Sequence, residues 1–157
     1  MKIICIISLK SGYGKTTLIE EIIKKLTKKG LKICAIKHSS HNIKEDYGKD
    51  TWRFRNAGAM ASAIISNEGI IYLSNANLTI PLISLMNPDL IICEGFKESN
   101  YPKLIIIKDE NELNEINKIN NIIGIISSND LQNINLPILK NIDEIVNFII
   151  SMVNKID

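Results

Sequence analysis

The chain has 157 residues, of which 45% are hydrophobic and 23% charged, with a net charge of +2. That is one domain's length, enough to bury roughly 70% of the unfolded surface, and the composition excludes disorder. No apolar run reaches the roughly 18 residues of a membrane span, and aromatics at 5% leave little for stacking on single-stranded nucleic acid.

The charge is uneven. Residues 1–60 carry 13 basic and 5 acidic side chains, residues 61–157 carry 6 and 12. A basic first third on an acidic remainder suits a small anionic ligand better than a long polyanion, so nucleic acid is not the expected partner. Cys5, Cys34 and Cys93 lie in apolar runs with no zinc spacing. They read as buried reduced thiols of a cytoplasmic protein. Ile occurs 34 times, so Ile-rich runs are weaker strand evidence than usual.

Lys2–Ser8 is a continuous apolar run before a Gly-containing loop, as expected for a strand buried on both faces. Thr16–Lys29 places Leu18, Ile22, Ile23 and Leu26 on one helical face, and Gly30 stops it. Leu31–Lys37 reads as a second strand returning beside the first in a β-α-β unit. His38 to Asp50 is a polar loop long enough to be functional, and Asp50 can cap a short helix through Arg55. Ala61–Ser66 and Ile70–Ser74 are short strands around Asn67-Glu68-Gly69, a hairpin signal. Asn77–Met86 reads as a helix with Pro81 near its first turn. Asp89–Cys93, Lys103–Lys108 and Asn121–Ser127 are further strands. Asp109–Ile119 and Asn141–Lys155 are further helices, the last with Ile142, Ile145, Val146, Ile149, Ile150 and Val153 on one face. The expected class is α/β, a single domain spanning 1–157. With Gly12-Tyr13-Gly14-Lys15-Thr16 set between its first strand and first helix, it is P-loop NTPase-like, with a mostly parallel sheet, helices on both faces and an inserted β-hairpin.

The strongest functional signal is Lys10-Ser11-Gly12-Tyr13-Gly14-Lys15-Thr16-Thr17, between a strand and a helix. Glycines let backbone N–H groups wrap a phosphate, and the helix N-terminus adds positive potential. Lys15 is expected to reach the β- and γ-phosphates and the Thr16 hydroxyl to ligate Mg²⁺. The usual pattern G-x-x-x-x-G-K-[ST] has its first Gly where Leu9 stands. Lys10 reads in two ways, as a solvated loop lysine or as the first Lys of a deviant Walker A loop. That loop occurs in ATPases that partition plasmids or position cell division, where this Lys reaches a partner's nucleotide; those proteins have Gly at the position of Ser11. In the second reading the chain is a homodimer and Lys10 is catalytic. The 61–74 hairpin is then the candidate contact, its apolar residues otherwise forming an exposed edge.

Asp89-Leu90-Ile91-Ile92-Cys93-Glu94-Gly95 is an apolar strand ending in an acid. Glu94 is placed to hold Mg²⁺ opposite the phosphate loop and to take part in catalysis, whereas Asp89 reads as a turn residue. Lys37 and His38 end the second strand, where polar contact with an anion is expected. His38-x-x-His41 lacks a third ligand for zinc. Arg53 and Arg55, the only arginines, lie just past Asp50 and could bind phosphate bidentately or line an exposed helix face. Asp130, after the late strand, is a candidate for reading guanine, although the N-K-x-D pattern is absent and a plain turn is the alternative.

Four separated stretches together resemble the molybdopterin-guanine dinucleotide biosynthesis protein B family. They are Ser11 to Leu18, Ile36-Lys37-His38-Ser39-Ser40-His41, Gly48 to Ala59, and Asp89 to Lys97 with its E-G-F-K turn. Tyr101-Pro102-Lys103-Leu104 agrees with a Pro-Lys after that turn. The likeness runs to about residue 108, and no family motif follows. The resemblance implies a GTP- and Mg²⁺-binding accessory protein that forms dimers and hydrolyses GTP slowly. It also implies partners: the guanylyltransferase that joins GMP to molybdopterin, and molybdopterin or its guanine dinucleotide. Carried over residue by residue, Gly14, Lys15 and Thr16 bind phosphates, Thr16 and Glu94 serve Mg²⁺, and Lys37, His38, Asp50 and Lys97 line the crevice. The alternatives are a partitioning or metallochaperone-type ATPase and a small P-loop kinase, the latter disfavoured by a length too short for a full lid.

Overall fold

The computed structural model describes residues 2–38, 50–58, 61–66, 69–74, 76–132 and 134–154. By their contacts the residues form two compact units, Met1–His38 with Asn87–Asp157, and Ser39–Met86, where the sequence reads as one domain with no internal boundary.

The first unit is built on a parallel six-stranded sheet. Its strands are β1 (Lys2–Ser8), β2 (Ile33–Lys37), β5 (Leu90–Glu94), β6 (Lys103–Ile106), β7 (Ile122–Ile126) and β8 (Ile138–Leu139), in the order β2-β5-β1-β6-β7-β8. The α/β class and the parallel sheet stand as expected. One expectation is corrected: β2 does not lie beside β1, because β5 stands between them. Burial explains the choice. Leu90 to Cys93 are buried at every position and require neighbours on both edges, whereas Ala35 and Lys37 of β2 are exposed and suit the sheet's edge. The two-residue strand β8 escaped the sequence reading, being too short to show a period.

Helices α1 (Lys15–Lys28) and α5 (Ile142–Asn154) cover one face. Ile19, Ile22 and Leu26 of the first and Ile145, Val146, Ile149 and Val153 of the second share a core with Ile4, Ile6, Leu90, Ile92, Leu104 and Ile106. Alternate strand residues Cys5, Ile7, Ile91, Cys93 and Ile105 are fully buried on the other face. Each such side chain contributes roughly 1.5–3 kcal/mol by leaving water. Cys5 and Cys93 are the buried thiols expected, Cys34 is half-buried, and all three are free. The helix expected over 109–119 is mostly absent. A 3-10 turn, Glu110–Glu112, and the one-turn helix α4, Leu113–Ile116, replace it. Asp109 caps the turn, accepting from the Asn111 N–H at 3.0 Å, but the Asn-rich residues after it are poor helix formers.

The second unit is inserted between β2 and β5. It holds α2 (Asp50–Asn56), β3 (Ala61–Ser66), β4 (Gly69–Ser74) and α3 (Ala76–Ser84). The hairpin forms as expected, antiparallel from Ala61↔Ser74 to Ser66↔Gly69, so Gly69 is a strand residue and not a turn residue. Pro81 lies inside α3 and not near its first turn. Among the described residues, no helix is long and apolar enough to cross a membrane.

Candidate functional site

The sheet order creates a crevice at the carboxyl end of β1. The chain leaves β1 towards β2 and β5 on one side and later crosses to β6 on the other, and such a switch point is where parallel α/β sheets bind ligands. The loop from Leu9 to Gly14 occupies it. Gly12 and Gly14 have φ of 75° and 78°, left-handed values that let the chain turn into α1. Gly14 is the N-cap of α1, and its carbonyl accepts from the Leu18 N–H at 3.0 Å.

Several side chains hold this loop. The Lys15 ammonium donates to Ser8 Oγ at 2.8 Å, and the buried Ser8 hydroxyl donates to the Lys10 carbonyl at 2.5 Å. Lys97 donates to the Leu9 carbonyl at 3.3 Å. Ser8 was not foreseen, although a serine closing an apolar strand directly before the loop is a readable signal. Lys15 and Lys97 are brought to one loop, as expected. Ser11 and Thr17 are exposed beside it.

Glu94 ends β5, next to β1 in the sheet. One carboxylate oxygen accepts from Thr16 Oγ1 at 3.0 Å, and the other lies 3.3 Å from Lys37 Nζ. The structure therefore joins three of the expected residues, Thr16, Glu94 and Lys37, in one cluster of a hydroxyl, a carboxylate and an ammonium. Hard oxygen donors of this kind suit Mg²⁺, with Thr16 and Glu94 the residues that would hold it. His38 follows β2: its N–H donates to the Glu94 carbonyl at 3.0 Å, and its ring packs 5.2 Å from Phe96. Among the described residues no group of three His, Cys, Asp or Glu could hold a metal, and His41 lies outside them.

A second cluster flanks the loop from the β6 side and was not read from the sequence. Glu112 is 5% exposed. It accepts the Tyr13 hydroxyl proton on Oε1 and the Lys108 N–H on Oε2 at 3.2 Å, while Lys10 Nζ lies 3.3 Å from Oε1. Burial pushes the Glu112 carboxyl up, but these donors outweigh it and hold the group below the usual carboxylate range. The same bonds to Glu112 raise the Lys10 ammonium and the Tyr13 phenol. Lys108 Nζ sits 4.9 Å from the Tyr13 ring centroid.

Two further expected residues pair with basic neighbours of their own. Asp130 follows β7, which β6 separates from β1, and its exposed carboxylate pairs with Lys140; each shifts the other towards its charged form. Asp50 belongs to the second unit, 3.7 Å from Arg53. The side chain of Arg55 and residues 39–49 lie outside what the structure describes.

The chain is similar to known proteins. The family model described as molybdopterin guanine dinucleotide synthesis protein B matches residues 3–128. The molybdopterin-guanine dinucleotide biosynthesis adapter protein of Haemophilus influenzae is 34% identical over 107 residues, 64% of this chain and 60% of that protein. A putative adapter protein of the same description from Methanocaldococcus jannaschii is 36% identical over 119 residues, 71% of this chain and 49% of that protein. The chain thus spans about half to three-fifths of the length of these relatives. Among solved structures, Bacillus subtilis MobB superposes with a TM-score of 0.72 at 26% identity, covering 99% of this chain and 100% of that one. A MobB homologue from Bacillus stearothermophilus, at 19% identity and a TM-score of 0.73, matches in fold over 99% of this chain and 100% of that one.

Proposed function

The chain belongs to the molybdopterin guanine dinucleotide synthesis protein B family, and from that premise we propose that it is a GTP-binding adapter in molybdopterin guanine dinucleotide biosynthesis. The observation that carries the nucleotide reading is the Thr16–Glu94 contact at 3.0 Å beside a loop with two left-handed glycines. A hydroxyl at the first turn of α1 and a carboxylate at the end of the adjacent strand are the oxygen pair that a phosphate-bound Mg²⁺ requires. Lys15, its ammonium now 2.8 Å from Ser8 Oγ, is the cation beside the loop whose N–H groups would hold the phosphates. Lys37 and Lys97 supply further positive charge around the same crevice. Bound Mg²⁺ would neutralise charge on the terminal phosphates, and this chain's residues orient it and them.

The partners in this reading are the molybdopterin guanylyltransferase and molybdopterin or its guanine dinucleotide, in the cytoplasm. The test is titration of the purified protein with GTP and ATP, each with and without Mg²⁺, by calorimetry. Preference for GTP with Mg²⁺ supports the reading, and preference for ATP favours a partitioning-type ATPase. In the same assay Glu94→Gln is expected to keep most nucleotide affinity and to flatten its dependence on Mg²⁺, since the amide keeps the shape and loses the charge. An unaltered Mg²⁺ dependence assigns the metal to another carboxylate.

A homodimer belongs to the same proposal. Lys10 is 65% exposed on its side chain and stands at the mouth of the loop. Lys10→Ala is expected to spare GTP binding and to remove hydrolysis. Mixing it with a Lys15→Ala chain is expected to restore part of the turnover, because one site of the mixed dimer then holds both lysines. No rescue, with a monomeric wild-type protein by sedimentation, leaves Lys10 an ordinary loop lysine.

A further inference from the structure

We infer that Glu112 is a positioning residue for the phosphate loop, acting through the Tyr13 hydroxyl to hold the loop in its binding shape before nucleotide arrives. The inference rests on the nucleotide reading above and deepens it.

The loop needs such a hold. Tyr13 stands between Gly12 and Gly14, both at positive φ, and a Cβ built on either glycine meets nothing within 4 Å. These glycines are therefore present for their backbone conformation and not for close packing. A chain with two such residues around one ordinary residue has many accessible conformations, and ordering each residue costs about 1–2 kcal/mol. Among the described residues, the one side-chain hydrogen bond made from within residues 11–14 is that of Tyr13 to Glu112.

The anchor itself is fixed. Glu112 is 5% exposed, its second oxygen is held by the Lys108 N–H at 3.2 Å, and the Asp109-capped turn sets its backbone directly after β6. Since β6 pairs with β1 along Cys5–Ser8, both ends of the tether start from neighbouring strands of one sheet. Lys10 lies on the same carboxylate oxygen at 3.3 Å, but it is largely exposed, so its pairing adds little hold of its own. A loop held in shape before binding does not lose that conformational freedom when phosphate arrives, which raises affinity without any contact between Glu112 and the ligand.

Hydrogen exchange on the protein without nucleotide, read at the Gly12–Lys15 amides, tests this together with GTP–Mg²⁺ calorimetry. Tyr13→Phe removes the hydroxyl and keeps the ring under Lys108. It is expected to speed loop exchange and to weaken GTP about tenfold each, with the melting temperature unchanged. Glu112→Ala removes both acceptor oxygens and is expected to be at least as impaired as Tyr13→Phe in both readings, while in a Tyr13→Phe background it is expected to add little to either. Wild-type exchange rates at these amides in Tyr13→Phe overturn the tether. So does a Glu112→Ala substitution that speeds loop exchange as much in the Tyr13→Phe background as alone, since Glu112 then acts by a route other than the hydroxyl. If the wild type binds no nucleotide, the functional reading fails while the exchange arm still decides the tether.

Discussion

Lys15→Ala is expected to lower GTP–Mg²⁺ affinity at least about 100-fold, since hydrogen bonds between charged groups contribute roughly 1.5–3 kcal/mol each and this ammonium can serve two phosphates. The fold is expected to survive. Lys15 is half-buried at the start of α1, and its Nζ rests on Ser8 Oγ, which keeps its own bond to the Lys10 carbonyl when the lysine is truncated. Calorimetry measures the affinity, and circular dichroism melting measures the fold. A mutant with wild-type GTP affinity removes the phosphate-loop assignment altogether. A mutant that loses both affinity and melting temperature shows that the lysine's bond to Ser8 matters for stability.

Most of the parallel sheet was legible because its longer strands are continuous apolar runs of four to seven residues bounded by polar turns. β1 and β3 coincide with the sequence reading at both ends, Lys2–Ser8 and Ala61–Ser66. Strand order was not legible. Which run stands beside β1 depends on burial along both edges of each strand, and β2 and β5 look alike as Ile-rich pentamers. Only the folded sheet shows that β5 has no exposed residue between Leu90 and Cys93. The 109–119 segment failed for a different reason. Its spacing permits a helix, and Asp109 caps a turn through the Asn111 N–H, but Asn111, Asn114, Asn117 and Asn120 are poor helix formers and the turn does not extend past Ile116 as an α-helix.

At the site, residues announced by local chemistry were legible. Gly12, Gly14, Lys15 and Thr16 form a contiguous loop, and Glu94 ends an apolar strand; the structure brings Thr16 and Glu94 into contact. Residues recruited across the chain were not. Glu112 is 99 positions from Tyr13 and lies beyond the last family motif. Its role depends on β6 pairing with β1, which places the turn after β6 beside the phosphate loop.

Lys103→Met is expected to be the most destabilising of the substitutions considered, at about 3 kcal/mol, because it leaves buried carbonyls without their donor. Lys103 opens β6 and is fully buried. Its ammonium donates to the carbonyls of Ser99, Tyr101 and Asn120, the last two at 3.0 Å. Methionine fills much the same volume, so the loss falls on those three oxygens and not on a cavity. Two of them belong to the turn that follows Glu94 and carries Lys97, and the third to the entry of β7. The lysine therefore ties the chain after β5 to β7 from within the sheet. For a protein of this size, about 3 kcal/mol lowers the melting temperature by roughly 10 °C. Urea denaturation and thermal melting both measure it. A wild-type midpoint in Lys103→Met means that water reaches the three carbonyls and that the buried charge adds no stability. If the midpoint falls and GTP affinity weakens with it, the turn from Gly95 to Pro102 transmits the loss to Lys97 and its bond to the phosphate loop.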